Sequence, residues 1–190
     1  MPKIGNDIVD LELAKSQSNW KRAGFLEKQF TEKEIQEIST SKNPFLKVWQ
    51  FWSMKEAAYK CYTQKEEKRF FAPQKFECTL KENHFGNVIF EDYKFYTKTT
   101  ITSFYIHTVA ENFFIKNSNK IRKFSGIGSP NLIDNNIKLK IAEKTGISFL
   151  DIEKKKTKIG APLFNHQEKV LTKSCSISHH GNYGAFAFTL

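Results

Sequence analysis

Phe51-Trp52-Ser53-Met54-Lys55-Glu56-Ala57-Ala58-Tyr59-Lys60 reads as part of one long helix, and Ile4-Gly5-Asn6-Asp7-Ile8-Val9-Asp10 reads as a short strand that ends in turn chemistry. Glu56 and Lys60 are four residues apart, so they lie one above the other on the same helix face. Asp7 is a carboxylate among apolar neighbours. A carboxylate from a strand and another from a helix can hold Mg²⁺, which takes one or two protein carboxylates and fills its remaining positions with water and substrate phosphate. A lysine one turn further on can then meet a phosphate on that metal. Taken singly, Asp7 reads as a turn residue and Glu56–Lys60 as a solvated pair worth a few tenths of a kcal/mol.

Around these stretches the pattern predicts helices over 11–23 and 31–40, with Thr31 as N-cap and Glu34 at the capping-box position. The motif helix spans 44–63, with Pro44 in its first turn. From 75 onward, Val, Ile, Thr and aromatic residues predict strands at 75–81, 86–90, 93–97 and 101–110, separated by Asn83, Gly86, Asn87 and Asp92. The polar run Lys116-Asn117-Ser118-Asn119-Lys120 reads as a linker, and the glycine-rich Ser125-Gly126-Ile127-Gly128-Ser129-Pro130 follows it. A helix is expected over 131–145, with Leu132, Leu139 and Ala142 as its apolar markers and Gly146 closing it. Short strands follow near Ile152 and at 156–159, then the turn Gly160-Ala161-Pro162 and closing strands at 174–178 and 183–189.

A chain of 190 residues can bury a substantial core, and eighteen phenylalanines supply much of it. No stretch approaches the roughly 18 apolar residues of a membrane span. The chain runs straight into the Asp7 stretch, so no cleavable signal and no membrane role are expected. Cys61, Cys78 and Cys175 are odd in number and lack metal-ligand spacing, and they read as reduced thiols of a cytoplasmic protein rather than as a disulfide.

The net charge of +10 is uneven. Residues 1–115 carry 17 Lys and Arg against 15 Asp and Glu, whereas residues 116–190 carry 13 against 5. A basic half fits a polyanionic partner, with nucleic acid the default, or else a solvated lysine surface. Its aromatics fall in apolar strand patterns, without an RNA-binding signature or helix-turn-helix spacing, which weighs against nucleic acid.

Three motifs together resemble the 4′-phosphopantetheinyl transferases: Gly5-Asn6-Asp7-Ile8-Val9, Trp52-Ser53-Met54-Lys55-Glu56-Ala57-Ala58-Tyr59-Lys60, and Ser176-Ile177-Ser178-His179 followed by Gly181 and Tyr183–Phe188. The connecting segment 25–35 also resembles holo-acyl-carrier-protein synthases. The resemblance implies an α+β fold of two similar halves, a pseudo-dimer in which each half is a small antiparallel sheet packed with helices. It implies a metal-binding half at 1–115 and a coenzyme A-binding half at 116–190. In the larger fused members the histidine motif ends the first half and the metal motifs open the second. Here the order is reversed, which predicts permuted halves and a monomer with its site formed within one chain. The alternative is a single synthase-type module with an insertion, which would need a partner chain.

The implied reaction moves the phosphopantetheine arm of coenzyme A onto a serine of an acidic apo acyl carrier protein, in fatty-acid or polyketide or peptide synthesis, and releases adenosine 3′,5′-bisphosphate. By the same resemblance, Asp7 and Glu56 hold Mg²⁺, Glu56 accepts the serine proton, and Lys60 contacts the attacked phosphate. Ser178 and His179 contact the 3′-phosphate, while His180, on the other strand face, has no role. Lys158 and Lys173 are further phosphate candidates by location. Lys15, Lys21, Arg22 and Lys28 are candidates for meeting the carrier. Two positions depart from the family pattern: Val9 stands where fused members carry a second acid, and Ala161 replaces the lysine of a Gly-Lys-Pro turn. A catalytically silent scaffold of the same fold is a further reading, against which Asp7, Glu56 and Lys60 are all present.

Overall fold

The computed structural model describes residues 2–70, 72–82, 84–113, 120–125 and 129–190, with the backbone alone at 120–125. The expected linker at 116–119 and the glycines at 126 and 128 lie outside the described residues. The fold is α+β, with helices packed on antiparallel sheets.

Strand β1 (Ile4–Asp10) leads into α1 (Leu11–Gln17), α2 (Phe25–Gln29), α3 (Glu32–Ser39) and the 23-residue α4 (Pro44–Glu66). Strands β2 (Glu77–Leu80), β3 (Phe85–Phe90), β4 (Tyr93–Ile101) and β5 (Tyr105–Glu111) follow. They form one antiparallel sheet in the order β1-β5-β4-β3-β2, and α4 covers one of its faces. Phe30, Phe51, Met54, Phe76, Phe90 and Phe95 fill the core between them.

The expected helix at 11–23 stops at Gln17, where the polar Ser16-Gln17-Ser18-Asn19 run lets Ser18 cap the last turn through its N–H to the Ala14 carbonyl. The expected capping box at Thr31 and Glu34 forms, with both bonds in place. The strand expected at 101–110 is broken at Thr102, whose hydroxyl accepts the N–H groups of Phe104 and Tyr105 and turns the chain into β5.

Strand β6 (Lys120–Ser125), which begins on the last residue of the expected linker, joins β10 (Ser174–His180) and β11 (Tyr183–Thr189) in a second sheet, ordered β10-β11-β6. Helix α5 (Pro130–Thr145) covers its outer face. The buried face of α5 is Ile133, Ile137 and Ile141, spaced four apart, while Leu132 and Leu139 are exposed. Of the sequence markers on α5, Ala142 packs against the core but Leu132 and Leu139 face outward, and the β-branched isoleucines pack on Phe186 and Phe188 in their place. A third sheet, β7 (Glu153–Lys156), β8 (Pro162–His166) and β9 (Lys169–Val170), flanks this unit. Residues 157–159 form a turn and not the expected strand, because the Thr157 carbonyl and hydroxyl accept N–H groups from Gly160 and Ala161.

The free edge of β1 meets the face of β10. Ser174, Ser176, Ser178 and His180 share one side of β10, since successive strand residues alternate. The Ile4 N–H donates to Ser174 Oγ at 2.9 Å, the Asn6 N–H to Ser176 Oγ at 2.9 Å, and the Asp10 N–H to His180 Nδ1 at 2.9 Å. Asn6 Nδ2 adds a bond to Ser178 Oγ at 2.8 Å. These side chains satisfy edge N–H groups that would otherwise be buried unpaired. Ile4, Val109 and Ala187 make a small apolar cluster in the same seam.

On its opposite face, β1 lies directly on α4. A methyl group at Gly5 would overlap the Ala57 carbonyl oxygen and the Cys61 amide nitrogen, both backbone atoms that cannot move aside. Gly5 thus allows a strand-to-helix approach that brings Asp7 to α4. Gly5→Ala is expected to lower stability by at least about 1–3 kcal/mol, as overpacking does. A urea midpoint equal to the parent's would contradict this packing.

Candidate active site

Gly5, Asp7 and Val9 alternate toward α4, which presents Ser53, Glu56 and Lys60 to them. Ser53 Oγ donates to the Asp7 carbonyl at 3.3 Å and fixes the strand's height on the helix. Lys60 Nζ reaches Asp7 Oδ1 at 2.9 Å, with side chains 29% and 12% exposed, so the pair is sheltered but open to a ligand. Burial first and the neighbouring Asp7 second push the Glu56 carboxyl up to about 7, with Lys60 offsetting part of the rise. The structure therefore brings together the three residues on which the sequence reading placed the chemistry.

Lys55, although adjacent to Glu56, points the other way. Its ammonium is fully buried 2.7 Å from Glu34 Oε2 and also donates to the carbonyls of Pro73 and Phe76. Glu34 Oε1 in turn accepts the Cys78 N–H at 2.7 Å. Every strong donor and acceptor of this pair is used, so it locks α3, α4 and the start of β2 together and takes no part in the open site. The helical offset of about 100° between successive residues separates the two lysines' roles.

Lys60 also belongs to the wall of a pocket of about 300 Å³. One side of this pocket is α4, with Tyr59, Lys60 and Gln64; the other is the Gly160–Pro162 turn with Ser176 of β10. Gln64, one turn beyond Lys60, donates to the Ile4 carbonyl at 2.8 Å and accepts from Ser174 Oγ at 2.8 Å, tying α4 to both strands. Its i+4 spacing from Lys60 was a signal for this position that the motif reading passed over.

Ser178 and His179 part company in the structure. Ser178 is buried in the seam with Asn6, whereas His179, facing the other way, is exposed. The alternation that sets His180 apart from His179 sets Ser178 apart too, and His180 has a positioning contact to β1 that the sequence reading did not give it. Lys158 is exposed in the turn before Gly160. Lys173 donates to the Leu190 carbonyl and does not line the pocket.

Arg69 was not singled out from the sequence. Its Nε donates to the Ile159 carbonyl at 2.9 Å, Nη2 bonds the same oxygen, and the guanidinium lies over Gly160 against the Ala161 turn. Asp10 caps α1 by accepting the N–H groups of Glu12 and Leu13, and its other oxygen accepts the Asn182 N–H at 3.0 Å. Burial favours its protonated form, but the Asn182, Leu13 and Glu12 N–H groups and His180 outweigh that and hold its carboxyl below the usual range.

Among the described residues, no group of three or more His, Cys, Asp or Glu comes together. The oxygen donors here are the Asp7–Glu56 pair; burial and, second to it, repulsion from Asp7 raise Glu56, and a hard divalent cation relieves that repulsion, so this donor set fits Mg²⁺. Cys61, Cys78 and Cys175 are buried free thiols pushed far up by burial, which leaves them inert. Among the described residues no helix is long and apolar enough to cross a membrane.

The chain matches none of the curated proteins. Among solved structures it is similar to the crystal structure of Thermotoga maritima holo-[acyl-carrier-protein] synthase, at 14% identity and a TM-score of 0.46, over 87% of this chain and 84% of that one. A family model described as the 4′-phosphopantetheinyl transferase superfamily matches residues 3–115. That span is more than half of the chain and contains Asp7, Glu56, Lys60, the buried Glu34–Lys55 pair and the whole five-stranded sheet. On this match, the chain belongs to the 4′-phosphopantetheinyl transferase superfamily.

Proposed function

We propose that the protein transfers 4′-phosphopantetheine from coenzyme A to a serine of an acidic apo acyl carrier protein, with Mg²⁺, and releases adenosine 3′,5′-bisphosphate. The observation that carries this reading is that Lys60 belongs both to the Asp7–Glu56 carboxylate group and to the wall of the pocket beneath it. A phosphate held by Lys60 would thus lie beside the carboxylates. Asp7 and Glu56 would hold the Mg²⁺, which supplies charge neutralisation at the pyrophosphate.

In the step itself, the serine oxygen forms a bond to the phosphorus that carries pantetheine, and the bond from that phosphorus to the bridging pyrophosphate oxygen breaks. Glu56 takes the serine proton, directly or through a water. Lys60 holds the attacked phosphate and gives a proton to the departing bisphosphate. Such reactions depend on positioning and charge more than on covalent catalysis. We assign the 3′-phosphate to His179, exposed on β10, and keep Lys158, exposed in the turn before Gly160, as a second phosphate candidate; Ser178 takes its bond from Asn6 in the seam and supports the strand that carries His179. Residues 1–115 serve as the metal-binding half and 116–190 as the coenzyme half, within one cytoplasmic monomer.

Incubating the protein with coenzyme A, Mg²⁺ and an apo carrier protein should add one phosphopantetheine to the carrier serine, read by mass spectrometry. A panel of fatty-acid, polyketide and peptide carriers all left unmodified would exclude the reading. Carrier docking is assigned to a groove of about 690 Å³ at the far end of β1, lined by Lys15, Trp20, Lys21, Phe45, Phe104 and Tyr183. Charge reversal at Lys21 and Arg22 should raise KM for the carrier on the order of tenfold through lost steering, and leave KM for coenzyme A nearly unchanged. Equal effects on both substrates would move the docking surface elsewhere.

A further inference from the structure

We infer that Arg69 is the phosphate-positioning residue of the pocket, supplied across the seam by the segment that follows α4. This rests on the coenzyme A reading above. Two donors of the guanidinium, Nε and Nη2, are committed to the Ile159 carbonyl. A guanidinium has five N–H groups in a planar fork, so three remain to bind an anion. The carbonyl anchors the fork at the pocket wall, which lowers the ordering cost that a free arginine would bear on binding.

Gly160 makes this placement possible. Its φ is +83°, a conformation that glycine adopts without strain, and a Cβ there would collide with Nη2 of Arg69. The turn's absence of a side chain and the arginine's position are one arrangement. The turn also brings no cation of its own among residues 159–162, which read Ile-Gly-Ala-Pro. Within the pocket lining, the two permanent cations are Lys60 on the α4 wall and Arg69 at the turn. A ligand with more than one phosphate can therefore engage Lys60 at the carboxylate end and Arg69 at the other. A planar bidentate donor suits a phosphate oxygen pair.

The test is calorimetric titration of the full chain, without carrier and without turnover, using coenzyme A, 3′-dephospho-coenzyme A and inorganic pyrophosphate. Arg69→Ala should weaken coenzyme A binding about tenfold or more, the range of a lost charge-assisted contact, with the melting temperature unchanged because Arg69 is exposed. Arg69→Lys should recover only part of the loss, since one ammonium cannot both hold the carbonyl and fork onto a phosphate. Gly160→Ala should reproduce the loss with the arginine still present. A deficit seen with coenzyme A but not with its dephospho form would place Arg69 on the 3′-phosphate; an equal deficit with both would place it on the pyrophosphate. If the parent and Arg69→Ala bind coenzyme A equally, the assignment of Arg69 falls while the transferase reading stands. If the parent ignores coenzyme A yet binds pyrophosphate through Arg69, the transferase reading falls and the phosphate site stands.

Discussion

Replacing Glu56 with Gln is expected to cut turnover at least about a hundredfold, the low end of what removal of a general base costs. Glutamine keeps the size of the side chain and removes its charge, so packing on α4 is preserved. The effect has a second signature that does not need catalysis. The Glu56 carboxyl is raised from an ordinary 4.5 to about 7. Between those values the unfolded chain has released a proton that the folded chain keeps, so metal-free stability falls as pH climbs from about 4.5 to about 7 and then levels. Mg²⁺ binds the ionised form, so it should raise Tm more at pH 8 than at pH 5.5. In Glu56→Gln both the pH slope and most of the Mg²⁺ shift should vanish. Turnover that persists in this variant under chelation would exclude the mechanism.

Lys55→Met is expected to destabilise the fold by about 3–5 kcal/mol, because it leaves the Glu34 carboxylate buried without its cation. Lys60→Met makes a useful contrast. Lys60 is 29% exposed and Asp7 keeps 12% of its side chain open, so the carboxylate left behind is rehydrated in part and the loss should be smaller, about 2 kcal/mol or less. The two lysines lie five residues apart on one helix, and urea midpoints should separate them clearly. Similar midpoints would mean that the Glu34–Lys55 pair is solvated and that α3 is held by apolar contact alone.

The grouping of Asp7, Glu56 and Lys60 could be read from sequence because helix periodicity and strand alternation each fix a side chain's direction without knowledge of the rest of the fold. Thr31 and Glu34 were legible as a capping box for the same local reason. What sequence did not disclose were the carboxylate's further partners, Lys55 on the capping oxygen Oε2 and the Cys78 N–H on Oε1, 21 and 44 residues away. Arg69 escaped for a similar reason: it lies in a polar run, and only the turn at Gly160, 91 residues on, gives it a place. On α5, two interleaved apolar stripes compete, and the one that packs is chosen by Phe186 and Phe188 on a sheet that local periodicity does not see. Ser178 and His179 show the converse limit: a motif reads as one unit, but neighbouring strand residues point to opposite faces.

The ladder of Ser174, Ser176 and His180 onto β1 joins residues 170 positions apart. Closing a loop of that size gains little until both strands already exist, and chains dominated by such distant pairings fold slowly. The free edge of β1 therefore stays uncovered through most of synthesis, while Asp7 and α4 can assemble within the first 111 residues from the nearer pairing of β1 with β5. The carboxylate group and the pocket wall at β10 thus mature at different times. The wall is completed only when the serine-bearing strand has emerged and closed over the edge. Until that moment the nascent protein carries its charged cluster without the finished pocket beside it, so on the proposed coenzyme A reading the competence to bind comes with the closing of the seam.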